Sequence, residues 1–376
     1  MRDPRLTKWA DVLVHHSLSA TKGQTLFLLA DPEALPLVTA VYERSILDGV
    51  KVEVVVQHRP LTEFLLQHGS DEQITYTPQS RLAAVQQHDL YLYIGSNSNS
   101  KMLSNIPSKK QMLAAMGNKP IIDTLLQRTA DQKMRWCLTM FPNSSAAQDA
   151  DMGTEEYEEF VFRACMLDEP SPIEAWRAVE KRQQNLVSFL EGVRELRFRN
   201  WHGTDLQVNV EGMKWVNCCG RINFPDGEVY TGPNLHAVHG GVNGSVRFSL
   251  PTIYRNVEVC DIELTFEHGA VVKAHASKNE PFLHEMIAID GGSKYVGEIA
   301  FGTNNRIQKC TKSILFDEKI GSTFHLALGK GYPETGNCNQ SALHWDMIFD
   351  LRGESSVEAD GETIMRNGRF VQKEWC

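Results

Sequence analysis

The stretch "TLFLLAD", residues 25–31, is a short, nearly unbroken apolar run that follows the Lys22-Gly23 turn. A strand covered by helices on both faces reads this way, because neither face meets water. The pattern recurs at "VEVVV" (52–56), "LYLYIGS" (90–96), "KPIID" (119–123) and "WCLTMFP" (136–142), with helical material between the runs, including residues 33–48. Upstream, Asp3-Pro4 is a helix start, an N-cap followed by proline in the first turn, and Leu6, Trp9, Val12 and Leu13 then recur at helical spacing. Strands alternating with helices predict a parallel α/β domain. No GxGxxG follows the first strand, so a dinucleotide site has no support.

Further along, residues 152–192 read as two helices. One has acidic residues in its first turns, and the other starts at a proline and places Ile173, Trp176, Val179, Leu186 and Leu190 near one face. From about residue 193 the pattern changes to short alternating runs such as "TDLQVNV", "SVRFSL" and "AVVKAHA". The expected fold class is therefore α/β plus α+β: an N-terminal parallel α/β domain with trailing helices over residues 1–192, and a C-terminal β-rich domain over 193–376 with a helix around 281–289.

The 376 residues suffice for two sizeable cores. A net charge of −9, with no basic cluster larger than Lys109-Lys110 or the trio Arg194, Arg197 and Arg199, argues against nucleic acid as a partner. No apolar run is long enough to span a bilayer, and the N-terminus lacks a signal-peptide pattern. The eight cysteines are scattered and form no CxxC, which suits a reduced cytoplasmic compartment. Adjacent Cys218-Cys219 read as small hydrophobes in or beside a strand, with soft-metal ligation or reactive thiols as the alternative.

Candidate chemistry gathers in the second half. In "SALHWDM", His344 and Asp346 stand two apart, so a strand presents both on one face and Trp345 on the other. An imidazole and a carboxylate side by side make half a shell for a divalent ion. In "FHLALG", bulky Phe324, Leu326 and Leu328 alternate with His325, Ala327 and Gly329, leaving room beside the histidine. "LFDEKIG" ends an apolar run in the pair Asp317-Glu318. Glu228 follows a Pro-Asp-Gly turn in "NFPDGEVYTGP", and Glu298 interrupts the apolar "VGEIAF". A carboxylate buried there unpaired costs several kcal/mol or shifts its pKa, unless a cation lies beside it. His236 and His239 read as part of a glycine-rich surface loop or a cleft lining, and His15-His16 as structural.

Taken together, these segments resemble the M29 family of metallo-aminopeptidases, the aminopeptidase T and aminopeptidase S group. The resemblance runs over essentially the whole chain and is most specific at "NFPDGEVYTGP", "GEIAFGTN", "LFDEKIG…HLALGKGYPET" and "QSALHWDM". It implies an exopeptidase that hydrolyses the N-terminal bond of peptides bearing a free amine, through a water bridging two divalent ions. The implied metal ligands are Glu228, Glu298, Glu318, His325, His344 and Asp346, with Glu298 bridging and Tyr332 as the catalytic tyrosine. Zinc, cobalt, magnesium or manganese and a homodimer are implied as well. One departure is the loop "DEKIGSTFH", longer than the "DENAACH"-like form of some members, which leaves Asp317 as an alternative to Glu318. The rival reading is a mononuclear Fe(II) ring-cleaving dioxygenase built on His325, His344 and Asp346, since a dihydroxypyridine dioxygenase family looks like a relative of this fold. Such a site has no need of Glu228 and Glu298, so their position discriminates.

Overall fold

The computed structural model describes residues 3–255 and 257–375; Met1, Arg2 and Cys376, all part of the segments read above, lie outside them. The chain divides into two compact units, Met1–Ala175 with Gly220–Pro225, and Trp176–Cys219 with Asp226–Cys376.

The first unit is built on the strands read from the apolar runs: β1 (Thr25–Ala30), β2 (Lys51–Val56), β3 (Leu90–Gly95) and β4 (Arg135–Met140). They pair in parallel in the order β2-β1-β3-β4, and the two-residue strand Asn223–Phe224 extends the sheet beside β4. The first helix is capped as expected, with the Asp3 carboxylate accepting from the Arg5 N–H and proline following it.

Two readings in this unit are corrected. "VEVVV" was expected to be a buried strand, but β2 is the sheet's edge and only partly covered. "KPIID" is not a strand at all; it lies inside the helix Ser108–Ala130, with Pro120 in its interior. There Ile121 and Leu125, four apart, pack into the core with Phe27, Leu29 and Tyr91, while Lys119 and Asp123 pair across one exposed turn at 2.5 Å. Burial of that stripe outweighs the helix-breaking cost of one proline.

The helices Thr154–Ala164 and Pro172–Leu190 match the pair read over 152–192. The units part at 175/176 rather than at 192/193, because Leu186, Val187 and Leu190 belong to the core of the second unit. Residues 220–225 return to the first unit because Asn223–Phe224 pairs with β4.

The second unit holds an eight-stranded and a five-stranded sheet whose apolar faces share one core. The five-stranded sheet comprises β5 (Val216–Cys218), β6 (Glu228–Thr231), β7 (Val296–Gly302), β8 (Thr323–Gly329) and β9 (His344–Asp350). Its strands are antiparallel in the order β9-β8-β7-β6-β5. Phe324, Leu326 and Leu328 of β8 and Trp345, Met347 and Phe349 of β9 enter the core, as the alternation requires. The helix expected around 281–289 is Glu280–Ile287. Among the described residues, no helix is long and apolar enough to cross a membrane.

Candidate metal centre

The face of the five-stranded sheet turned away from that core carries the chemistry. His325 on β8, His344 and Asp346 on β9, and Glu228 on β6 reach it by simple alternation. Glu298 needs a further device. The β7–β8 register shifts between Val296 and Glu298, a bulge at Gly297, so Val296 and Ile299 both face the core while Glu298 faces the site. Gly297 is required there, since a Cβ would stand 2.2 Å from the Lys330 carbonyl oxygen. Small residues keep the face open: Ala327 lies opposite both Glu298 and Asp346, Ala300 opposite His325, and Gly302 opposite Glu228.

His325 Nε2 stands 3.5 Å from Glu228 Oε2 and 3.7 Å from Glu298 Oε1. His344 Nε2 stands 3.3 Å from Glu298 Oε2 and 3.7 Å from Asp346 Oδ1. Glu298 thus turns one oxygen to each histidine. Three overlapping donor groups result, Glu228–Glu298–His325, Glu298–His344–Asp346 and Glu318–His325–Asp346, each with its ligand atoms within 4.8 Å of one another.

Glu318 and Asp317, the open alternatives, point to different surroundings. Glu318 joins His325 and Asp346, whereas Asp317 accepts from the Thr311 N–H, the Thr311 hydroxyl and the Cys310 thiol at 2.7, 2.8 and 3.1 Å. Tyr332, on the turn after β8, brings its hydroxyl 3.4 Å from His344 Nε2, and His344 Nδ1 meets the Lys330 carbonyl at 2.9 Å. His236 and His239 lie on an exposed segment, and His15 pairs with Asp48 at 2.8 Å.

Burial works to raise Glu298, but His325 and His344 outweigh it and hold the carboxyl at about 2. Burial likewise opposes charge on the imidazoles, yet the surrounding carboxylates, Glu298 on His325 and Asp346 on His344 foremost, carry them up to about 9 and about 10. Burial pushes Asp346 up to about 6 and raises Glu228 and Glu318. Tyr332 is raised by burial and then by Glu298 and Asp346, so its phenol stays protonated.

The donor set suits divalent ions. Glu228 Oε2, both ring nitrogens of His325 and Asp346 Oδ1 are buried with no hydrogen-bond partner, an expensive condition unless something else binds them. Three of the four imidazole–carboxylate gaps, at 3.5–3.7 Å, are too long for good hydrogen bonds. Two donors held by one tetrahedral ion at ~2.1 Å stand roughly 3.4 Å apart, which is the spacing seen here.

Two participants escaped the sequence reading. Lys319 is fully buried, with Nζ 2.6 Å from Glu228 Oε1 and 2.5 Å from Glu318 Oε1, and Asp226 Oδ1 lies 3.8 Å from the same nitrogen. A lysine after Asp317-Glu318 reads as part of an exposed charged loop, and Asp226 as a turn residue; neither has a local signal of burial.

A profile of the family described as thermophilic metalloprotease (M29) matches residues 2–370. The chain belongs to this family of metallo-aminopeptidases, and so to the hydrolases. It is 27% identical to aminopeptidase T of Thermus thermophilus over 97% of this chain and 98% of that one. It is 28% identical to aminopeptidase 2 of Geobacillus stearothermophilus, over 98% of each. The structure of wild-type AmpT from Thermus thermophilus superposes with a TM-score of 0.85 at 26% identity, covering 98% of this chain and 99% of that one. A 2,5-dihydroxypyridine dioxygenase from Pseudomonas putida shares the fold at a TM-score of 0.63 and 16% identity, covering 99% and 98%.

Proposed function

We propose that this chain is a dinuclear metal-dependent aminopeptidase, cleaving the N-terminal bond of peptides that carry a free amine. The observation that carries the reading is Glu298, whose two oxygens face different histidines and which belongs to two donor groups at once. A carboxylate so placed suits a bridge between two ions, Glu228 and His325 serving one and His344 and Asp346 the other. Glu318 adds a donor beside His325 and Asp346.

Charge supports the same count. With both imidazoles neutral, as metal ligation requires, ionised Asp226, Glu228, Glu298, Glu318 and Asp346 bring five negative charges and Lys319 one positive, a deficit of four that two divalent ions close. Oxygen-rich ligation accommodates Mg²⁺ or Mn²⁺, and the imidazoles accommodate Zn²⁺ or Co²⁺. Bound ions supply Lewis-acid polarisation of a carbonyl and water made nucleophilic at neutral pH. The protein's own part is to hold these donors on a rigid sheet, to keep His344 oriented through the Lys330 carbonyl, and to present the Tyr332 phenol as a hydrogen-bond donor to a developing oxyanion. The burial of Glu228, Glu298 and His325 limits stray water.

The convergence of Glu228 and Glu298 on the histidines favours this over a mononuclear ring-cleaving iron site, and the dioxygenase likeness extends to fold alone. A homodimer is carried from the family resemblance, and cytoplasmic residence from the scattered cysteines without a CxxC. The test is metal titration of the purified chain with Zn²⁺ or Co²⁺, alongside turnover of leucine p-nitroanilide and its N-acetylated form. Two equivalents with turnover of the free amine only are expected. One iron equivalent with oxygen consumption overturns the proposal.

A further inference from the structure

Lys319 is a cation that the fold itself places in the cage. It follows Glu318 at the end of the short helix Ile314–Asp317 and has no exposed surface. An ammonium has three donors and no acceptor, and two of its contacts here are carboxylates at 2.6 and 2.5 Å. With no exposed surface, Lys319 Nζ is enclosed by three carboxylates, at salt-bridge distance from Glu228 and Glu318 and 3.8 Å from Asp226. Cys218, Asp226 and Glu228 form a fourth donor group as tight as the other three, and Lys319 Nζ stands at it, bonded to Glu228 and 3.8 Å from Asp226. Glu228 therefore commits Oε1 to the lysine, while Oε2 has no hydrogen-bond partner and faces His325.

We propose that Lys319 is a positioning residue that sets the metal count: its ammonium fills the Cys218–Asp226–Glu228 corner as a built-in cation, turns one oxygen each of Glu228 and Glu318 away from the ions, and so closes the cage to further divalent ions. This rests on the metal-cage reading above. Without the ammonium, the corner offers two carboxylates and a thiol, with Glu318 released beside them, in surroundings one charge more negative. That is an adequate donor set for a divalent ion of zinc or cobalt character.

The test compares the full-length parent with Lys319→Met, Lys319→Gln and Lys319→Arg by equilibrium dialysis against Co²⁺ or Zn²⁺ alone, read by elemental analysis. The decisive quantity is the gain over the parent. One extra equivalent in both neutral variants, with Lys319→Arg at the parent's count, is the expected result, and a lysine that merely filled space would not give it. Equal counts and unchanged dissociation constants in all four proteins overturn the inference. A parent count other than two bears on the two-ion reading alone, since the gain is measured against the parent. Should the neutral variants be unfolded without metal, circular dichroism during a Co²⁺ titration decides. Recovery of the parent spectrum supports replacement of one cation by another, and continued unfolding refutes it.

Discussion

Two buried acidic centres, one in each unit, contrast in what completes them. In the first unit Asp31, fully buried at the end of β1, accepts from Arg59 Nε and Nη2 at 2.9 and 3.0 Å, from Gln57 at 2.9 Å, from the Ser96 N–H at 2.8 Å and from the Tyr93 hydroxyl at 3.3 Å. Burial pushes its carboxyl up, but Arg59, Ser96 and Gln57 outweigh that and hold it below the ordinary range. Protein groups close that centre. In the second unit the carboxylates outnumber the cations, and four donor atoms of Glu228, His325 and Asp346 are buried without a partner. A buried acid that the chain satisfies by itself is structural, and one left open awaits something that binds.

The contrast can be broken by substitution, and the largest effect is expected at Glu298. Glu298→Gln removes one oxygen of the proposed bridge between the ions. Its kcat/KM should fall by more than the roughly 100-fold typical of losing an outer-shell partner, and metal uptake should drop by at least one equivalent. Retention of the full metal complement would break the bridging assignment. Tyr332→Phe should lower kcat by about 10²–10³-fold, the cost of one oxyanion donor, with metal stoichiometry unchanged. A loss of metal instead would make Tyr332 a ligand support rather than a donor to substrate.

Asp31→Asn should destabilise the protein by about 2–3 kcal/mol in urea unfolding, discounted from a fully buried pair because Arg59 is one-third exposed, and leave metal uptake alone. Its folded pKa lies below the unfolded value of about 3.9, so this stabilisation is complete above that pH. It is lost as pH falls through the folded pKa, so the parent and variant curves should converge on the acid side. The smallest effect belongs to Asp317→Asn. It should cost about 1–2 kcal/mol through the Thr311 and Cys310 hydrogen bonds and leave the metal count unchanged. A lost equivalent there would transfer the ligand role from Glu318 to Asp317.

The site's skeleton was legible because it rests on short periods. The alternation in "FHLALG" sets His325 opposite its strand's bulky residues, and the two-residue spacing in "HWDM" puts His344 and Asp346 on one face of theirs, without knowledge of any partner strand. Glu298 stood out because a charge in an apolar run needs compensation. "KPIID" was misread for the complementary reason: four or five residues do not reveal whether their burial repeats every two positions or every three to four, and the neighbouring helix core settled it.

From the sequence alone come the two-unit plan, the alternating strands, the family and the set of candidate ligands, all of which depend on residues near one another in the chain. Only tertiary structure decided that Glu318 rather than Asp317 lies beside His325 and Asp346, that a bulge at Gly297 turns Glu298 to the same face, and that Lys319 is buried against Glu228, ninety-one residues away. Those outcomes depend on which strands pair and in what register, and pairing energy is shared across distant segments, so no local pattern carries it.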